Sequence, residues 1–306
     1  MKYIFIVNPI SGSQNSEEEI RQAVSNSKHK DEAAVYVTTG EKDATRFVVD
    51  WCLNHGEEIR FIACGGDGTI NEVANGIMQA KEQDTACDIS LSCYPCGSGN
   101  DLVKSFGGAE KFLDIEKLMD ADAAPIDMLK VANQYSINIV NFGFDTTVAD
   151  TVNTVRAKKG HAGKKYYLQG VIKALVTSMR TNCTLEADGE ILNPDGAALL
   201  CTIANGQYVG GSYHCAPRAV MNDGLCDICM VKPVSRFKFI QCVKSYSSGQ
   251  HLDDPRLKDV ILYKRAKKVV VTGEKDFAFT LDGEIIRNPR LELEVIEKAL
   301  NFAAPK

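Results

Sequence analysis

The chain has 306 residues, 44% of them hydrophobic and 25% charged, with a formal net charge of −5. These values describe a globular protein with room for two ordinary domains, and the acidic balance excludes a general nucleic-acid binder. Eleven cysteines, odd in number and scattered, read as reduced thiols and not as a disulfide framework.

Lys2–Val7 is the first predicted strand, and Asn8-Pro9 ends its apolar run too early for a secretory leader. Strands at Ala33–Thr38, Arg60–Cys64 and Ile89–Tyr94 alternate with helices at Glu17–Ser25, Asp43–Asn54 and Ile70–Gln79. Ser16 with Glu19, and Thr69 with Glu72, stand at capping-box spacing and predict helix starts. Strict alternation of this kind implies a parallel sheet covered on both faces, with ligands beyond the carboxyl ends of its strands.

Gly65-Gly66-Asp67-Gly68-Thr69 sits where the third strand turns into a helix. Glycines there leave backbone N–H groups bare beside the positive end of a helix dipole, which makes a phosphate site. A carboxylate in that place repels phosphate unless a cation lies between, so Asp67 points to a metal–nucleotide complex. The neighbouring strand ends carry Asn8-Pro9-Ile10-Ser11-Gly12-Ser13, Thr38-Thr39-Gly40 and Cys96-Gly97-Ser98-Gly99-Asn100-Asp101. Each loop alone is ordinary, because loops are rich in Gly, Ser and Asn. Four of them at one sheet edge read as a nucleotide cradle.

Near Pro125 the pattern changes, with a linker at Ala121–Pro125. Strands at Ile126–Val131 and Gln134–Phe142 and helices at Thr147–Arg156 and Tyr166–Thr177 come first. Short strands follow at Cys183–Ala187, Ala197–Ala204, Leu225–Val231, Asp259–Tyr263, Val269–Thr272, Phe277–Leu281 and Leu291–Val295. Close spacing with turn signals predicts an antiparallel sandwich. Two acidic turns, Asn222-Asp223-Gly224 and Asp282-Gly283-Glu284, are open to two readings, since Asp-Gly is also a favoured hairpin turn. Two basic runs, Arg156–Lys159 with Lys164-Lys165 and Lys264–Lys268, read first as solvated faces and second as contacts to phosphates or a membrane surface. Cys226 and Cys229 fall three apart in a strand and face opposite sides, which argues against zinc; Cys93 and Cys96 form the other C-x-x-C pair. No G-x-S-x-G elbow or Walker A lysine is present, the five histidines are dispersed, and no segment has the length of a membrane span.

Over nearly its whole length the chain resembles the diacylglycerol kinase catalytic-domain superfamily, and within it the small bacterial YegS/BmrU-like lipid kinases. The ordered motifs are Asn8-Pro9 with Ser11-Gly12, Gly65–Thr69 with Asn71-Glu72, Gly97–Asp101, and Asn141-Phe142-Gly143-Phe144-Asp145. Ala204–Gly211, Ala216–Ala219 with Asn222–Leu225, and Leu281–Glu284 complete the set. The resemblance implies an α/β nucleotide-binding domain over 1–124 and a β-rich lipid-substrate domain over 125–296, with 297–306 returning to the first. It implies an ATP-dependent lipid kinase, most simply one converting diacylglycerol to phosphatidic acid, cytoplasmic and peripheral to the membrane.

By the same resemblance Glu284 is the general base, with Asp67 as the second catalytic carboxylate. Asn8, Ser11, Thr39, Gly65, Gly66, Asp67, Gly68, Thr69, Asn71 and Ser98 contact the nucleotide. Asp223 binds Mg²⁺ with the backbone carbonyls of Val220 and Leu225, and Asp67 and Asp101 join through water. Ser98 stands where many bacterial relatives have threonine, a change that keeps the hydroxyl. The partners implied are ATP and a lipid, with no nucleic acid, and homodimerisation is left open. An NAD-kinase-like enzyme shares Gly65–Thr69 but needs a threonine-rich motif missing here; a non-enzymatic lipid- or nucleotide-binding regulator is the other alternative.

Overall fold

The computed structural model describes residues 1–12, 16–159 and 164–306, which divide into two units. Unit 1 comprises Met1–Met128, Met221–Asp223 and Ile296–Lys306; unit 2 comprises Leu129–Val220 and Gly224–Val295. Ser13 and His161 lie outside the described residues, as do the side chains of Arg156, Lys159 and Lys164.

Unit 1 runs β1 (Lys2–Val7), α1 (Ser16–Asn26), β2 (Ala33–Val37), α2 (Asp43–Asn54), β3 (Ile59–Gly65), α3 (Asp67–Glu82) and β4 (Ile89–Pro95). Then come α4 (Asp101–Lys104), α5 (Ile115–Asp120) and the start of β5 (Ala123–Val131). The four full strands are parallel in the order β4-β3-β1-β2, as the alternation predicts. The near-continuous apolar character of β1, β3 and β4 follows from burial on both faces, while the edge strand β2 is only half-buried. Arg60 is the exception in β3. Its guanidinium is buried and donates to Ser90 Oγ (3.1 Å) and to the carbonyls of Leu118 (2.8 Å) and Met119 (2.9 Å). A cation at the carboxyl end of α5 is thereby matched to that helix's dipole.

Because β1 leads one way to β2 while β3 leads the other way to β4, the loops after β1 and β3 diverge, and a crevice opens at their ends. The chain's last segment adds a strand beside β4, pairing Asn301 with Ser90 and Phe302 with Leu91. Asp127 fastens the separate pieces of unit 1. Its amide donates to the carbonyl of Met221 (2.7 Å), and its buried carboxylate accepts from the amide of Lys298 (2.7 Å).

Unit 2 continues with β6 (Gln134–Ser136), β7 (Ile139–Gly143), α6 (Phe144–Lys159), α7 (Lys164–Thr177), β8 (Thr181–Ala187), β9 (Glu190–Ile191), β10 (Ala197–Ala198) and β11 (Leu200–Ala204). After β12 (Cys226–Val231) come α8 (Arg236–Ser247), β13 (Ile261–Ala266), β14 (Lys268–Gly273), β15 (Ala278–Leu281), β16 (Glu284–Arg287) and β17 (Arg290–Ala303). One antiparallel sheet has the order β13-β12-β11-β7-β15-β16; the other contains β10, β8, β14 and the first part of β17. Alternation sorts the side chains. Cys201 and Ile203 of β11 join Phe142, Leu185, Val271, Phe279 and Leu293 between the sheets, while Leu200 and Ala204 face a second core under the helices. The sandwich is the one that the strand spacing predicts.

Several local expectations change. Helix α3 starts at Asp67 with Gly66 as its N-cap, so Thr69 lies inside the helix and does not open it. The single strand expected over Gln134–Phe142 is split between β6 and β7, because the amides at the break are taken by a carboxylate described below. Helix α8 is not anticipated at all: its Phe237 and Ile240 point outward, which blurs the one-sided periodicity that signals a helix. Cys226 and Cys229 face opposite sides of β12, and burial pushes both thiols up to about 12. Burial also pushes Cys96 up to about 11, so these thiols are inert hydrophobes at neutral pH. In the basic run Lys264–Lys268, Lys264 pairs with Glu190 and Lys268 with Glu294 (3.2 Å), as a solvated face requires.

Asp127→Ala should destabilise the protein by about 1–3 kcal/mol, because it removes the fully buried carboxylate that the Lys298 amide bonds and leaves a gap in its place. Urea unfolding followed by circular dichroism reads this, and an unchanged midpoint refutes the fastening role.

Candidate functional site

The loops after β3 and β4 begin level, with Gly65 opposite Pro95 and the Cys96 amide donating to the Gly65 carbonyl (2.9 Å). The turns that follow press together. A Cβ on Gly97 would lie 2.5 Å from the Cα of Gly66, and a Cβ on Gly65 would lie 2.3 Å from Thr69 Oγ1. Only glycine permits that approach. Asp67, the first residue of α3, then reaches the next helix: its Oδ1 accepts from the amides of Asp101 (2.7 Å) and Leu102 (3.2 Å). One carboxylate thus sits at the positive ends of two helices. Its Oδ2 faces Gly99, where a Cβ would meet it at 2.9 Å and Asp101 Oδ2 at 3.5 Å. Two carboxylate oxygens turned toward one bare Cα form an oxygen-rich cradle that suits a hydrated divalent cation.

The loop after β1 joins the same crevice. Asn8 Nδ2 donates to Thr69 Oγ1 (3.1 Å), and the Asn8 carbonyl accepts from the amide of Ser11 (3.1 Å), whose own carbonyl accepts from Ser16 Oγ (3.1 Å). Gly68, in the first turn of α3, and Ser98, in the loop after β4, are exposed. Asn71, one turn into α3, accepts from Asn75 Nδ2 through its carbonyl (2.9 Å) and its Oδ1 (3.0 Å). Thr39, after β2, donates to Asp43 Oδ2 through its amide (2.8 Å) and its hydroxyl (2.9 Å). Sequence reasoning missed Asp43. Its carboxyl is held down at about 2, chiefly by the Thr39 amide and further by the Thr39 hydroxyl, Tyr36 and Arg46, against the opposing effect of desolvation. Lys104 was missed too: its ammonium donates to the carbonyl of Gly99 (2.8 Å) and to Asp101 Oδ1 (2.7 Å), placing a cation beside the loop. Its spacing of three from Asp101 on a short helix was the available signal.

In unit 2, Glu284 is exposed at the first position of β16, paired with Leu281 across a two-residue turn. Asp282 and Gly283 both have positive φ, 46° and 94°, the type I′ geometry that Asp-Gly favours. Asp282 does far more than turn. Its carboxylate accepts from Ser136 Oγ (2.8 Å) and from the amides of Ile137 (2.9 Å), Asn138 (3.1 Å) and Ile139 (2.8 Å), which is what splits β6 from β7. Asn205 of the Ala204–Gly211 motif donates to the Ile137 carbonyl (2.8 Å), and Gln207 of the same motif donates to the Ala219 carbonyl (3.0 Å). Asn205 thereby braces, through Ile137, the turn that carries Glu284, while Gln207 ties its motif to Ala219.

Asp223 lies exposed in the Met221–Asp223 segment of unit 1, and Val220 and Leu225 belong to unit 2. The His29–Glu116–Asp120 cluster, the only three-membered set of side-chain ligands among the described residues, is crossed by Lys28, which pairs with Asp120. A hollow of about 510 Å³ beside α1 and α5, lined by Glu19, Tyr94, Asp114 and Glu116 among others, contains none of the glycine-loop residues. An apolar cavity of about 80 Å³ under α7 and α8 is lined by Phe144, Tyr167, Val171, Phe239 and Tyr246. Asp145 borders it, and desolvation pushes its carboxyl up to about 6.

The family described as the diacylglycerol kinase catalytic domain matches residues 2–131, and the YegS C-terminal NAD kinase beta sandwich-like domain matches residues 138–304. The chain is 31% identical over 286 residues to the diacylglycerol kinase of Bacillus subtilis, covering 91% of this chain and 88% of that one. It is 27% identical to the "probable lipid kinase YegS-like" protein of Alcanivorax borkumensis, covering 97% and 95%. A solved diacylglycerol kinase from Bacillus anthracis shares the fold, with a TM-score of 0.70 at 20% identity over 99% of this chain and 96% of that one.

Two outcomes follow from the geometry. Gly97→Ala should force the paired turns apart and cost about 1–3 kcal/mol, read as a lower calorimetric melting temperature. The Asp43 carboxyl has a folded pKa near 2, below its ordinary 3.8, so its stabilisation is present above about pH 4 and is lost as pH falls through about 2. Asp43→Asn should therefore lower the melting temperature clearly at neutral pH and much less near pH 2.5. An equal gap at both pH values removes the charge from the explanation.

Proposed function

The chain belongs to the diacylglycerol kinase catalytic-domain family, in its YegS-like branch, and on that premise we propose that this lipid kinase transfers the γ-phosphoryl group of ATP to the free hydroxyl of diacylglycerol, giving phosphatidic acid. The observation that carries the reading is the interlocked pair of glycine turns with Asp67 between two helix starts. Phosphoryl transfer asks the protein chiefly for positioning and charge stabilisation, because its transition state is loose. Backbone amides of Gly66–Gly68 and Gly97–Ser98 hold phosphate oxygens, Asn8 orders the loop by its bond to Thr69, and Lys104 adds positive charge.

Ser11, Thr39 and Asn71 complete the nucleotide contacts on neighbouring strand and helix ends. Mg²⁺ would be held by Asp223 with the carbonyls of Val220 and Leu225, and through water by Asp67 and Asp101; bound there, it would offset triphosphate charge. Glu284 accepts the proton of the attacking lipid hydroxyl, a step that needs a carboxylate within hydrogen-bond reach. Its place after a braced type I′ turn suits that task, since a rigid support holds a base better than a loose loop does. No helix among the described residues is long and apolar enough to cross a membrane. We place the enzyme at the cytoplasmic membrane surface, where its acceptor lies.

With radiolabelled ATP and diacylglycerol in mixed micelles, label should enter the organic phase. Label confined to the aqueous phase favours an NAD-kinase-like activity, and nucleotide binding without turnover favours a regulator. Glu284→Gln should lower kcat by about 10²–10⁴-fold with an unchanged melting temperature. Near-wild-type turnover in that variant would falsify the base assignment.

A further inference from the structure

The hollow beside α1 and α5, about 510 Å³ in volume, falls in the size range of small-molecule sites. Three carboxylates line it, those of Glu19, Asp114 and Glu116, and no cationic side chain does. Buried Ile20 and Ile115 give it an apolar wall, continued by Leu113, which is left 43% exposed. Two polar atoms at the Ser27 end are unsatisfied. Ser27 lines the hollow and is only 5% exposed, yet its hydroxyl has no hydrogen-bond partner among the described residues. Glu116 reaches the next residue: its Oε1 accepts from the Lys28 amide (2.8 Å), while its Oε2 is buried and makes no hydrogen bond. The Lys28 ammonium stays 4.0 Å from that oxygen and pairs with Asp120. A buried hydroxyl and a buried carboxylate oxygen are costly until a donor completes them.

The other end carries Glu19. Arg21 is drawn to Glu17 (2.9 Å), so Glu19 has no ion pair among the described residues. Its charge reaches Tyr94, which also lines the hollow, and adds to the burial that raises that phenol. Asp114, the N-cap of α5, has the Lys117 ammonium no nearer than 3.7 Å. Along α1, Glu19, Ala23 and Asn26 share one face, and Glu19 to Ser27 spans about 12 Å at the helical rise. Helix α1 has no basic residue in its last turn, so its negative dipole end is also open to a cation.

This layout selects the kind of cation. A single metal ion needs its ligand atoms gathered around one point. Among the described residues only His29, Glu116 and Asp120 gather within 4.8 Å; Glu19, Asp114 and Glu116 do not. Charges spread along an apolar wall match a cation that is itself extended, with an ammonium at each end. Its methylenes would cover Ile20, Ile115 and Leu113, and the Tyr94 ring adds a cation–π partner. An ammonium also carries three donors, enough for both unsatisfied atoms at the Ser27 end.

We propose that the hollow between α1 and α5 binds a linear aliphatic polyamine, one terminal ammonium donating to Glu116 Oε2 and Ser27 Oγ and the other meeting Glu19. Binding there does not depend on the lipid-kinase reading. Isothermal titration of the full chain with spermidine, at about physiological ionic strength and with Mg²⁺ present, is the test. One saturable site per chain should appear, and the shorter putrescine should bind more weakly. Glu19→Gln/Glu116→Gln should weaken spermidine binding at least about tenfold, with an unchanged melting temperature in the absence of ligand. Ala23→Arg, on the exposed side of α1, should fill the hollow with its own cation and abolish binding. That variant decides the matter if the double variant does not fold. Glu18→Gln/Asp31→Asn removes two exposed charges outside the hollow and should leave the affinity unchanged. Four results overturn the proposal. They are a wild type with no saturable site, undiminished binding in either hollow variant, putrescine binding as tightly as spermidine, and an equal loss in Glu18→Gln/Asp31→Asn. The last would mean diffuse attraction to an acidic chain.

Discussion

The contact between Gly66 and Gly97 is the constraint on which the nucleotide half depends. Two turns from adjacent parallel strands approach until no Cβ fits between them. That approach brings the starts of α3 and α4 to one carboxylate, Asp67, which neutralises bare amides of the second helix while standing at the head of the first. Amides that remain at the turns are exposed to a ligand, and the dipoles behind them favour an anion. An acidic residue in a phosphate site is thereby reconciled with its surroundings: one oxygen is structural, and the other turns with Asp101 toward the bare Cα of Gly99.

Unit 2 uses a carboxylate in a similar way for a different end. Asp282 collects three successive amides and a hydroxyl from the β6–β7 break, so the hairpin tip that presents Glu284 is fastened to the neighbouring strand. A charge-assisted set of this kind is stronger than the same number of neutral bonds. Asn205 secures the other side of the same break. The acidic turn therefore has two residues with two tasks, and both readings open at the sequence level, hairpin and function, apply to neighbouring positions of one motif.

The helices of unit 2 show how burial and pattern part company. Helix α7 was legible because its polar and apolar residues recur at helical spacing, yet its outward Leu168, Ile172 and Val176 are as apolar as its inward face. Helix α8 carries the same feature more strongly, and there it hid the helix: Phe237 and Ile240 outside, with Phe239 and Tyr246 inside, leave little moment to detect. A pattern read on the assumption of one polar face fails where the outer face carries apolar residues too.

What the sequence by itself determined is the alternation that makes a parallel sheet, the spacing of short strands that makes a sandwich, and the glycine-rich turns, since these rest on local propensity and period. Most strand ends were off by a residue or two, but β5 starts three residues before Ile126, β13 runs three past Tyr263 and β17 eight past Val295. The start of α3 was off by three, because a glycine N-cap leaves no side-chain signature. Tertiary structure alone decided which loops meet. Asn8 finds Thr69 across 61 positions, Asp282 finds Ile139 across 143, and Asp127 gathers segments from three parts of the chain. Such partnerships are set by strand order and register, which bring distant backbone amides within reach of one carboxylate, and no local window of sequence contains both partners.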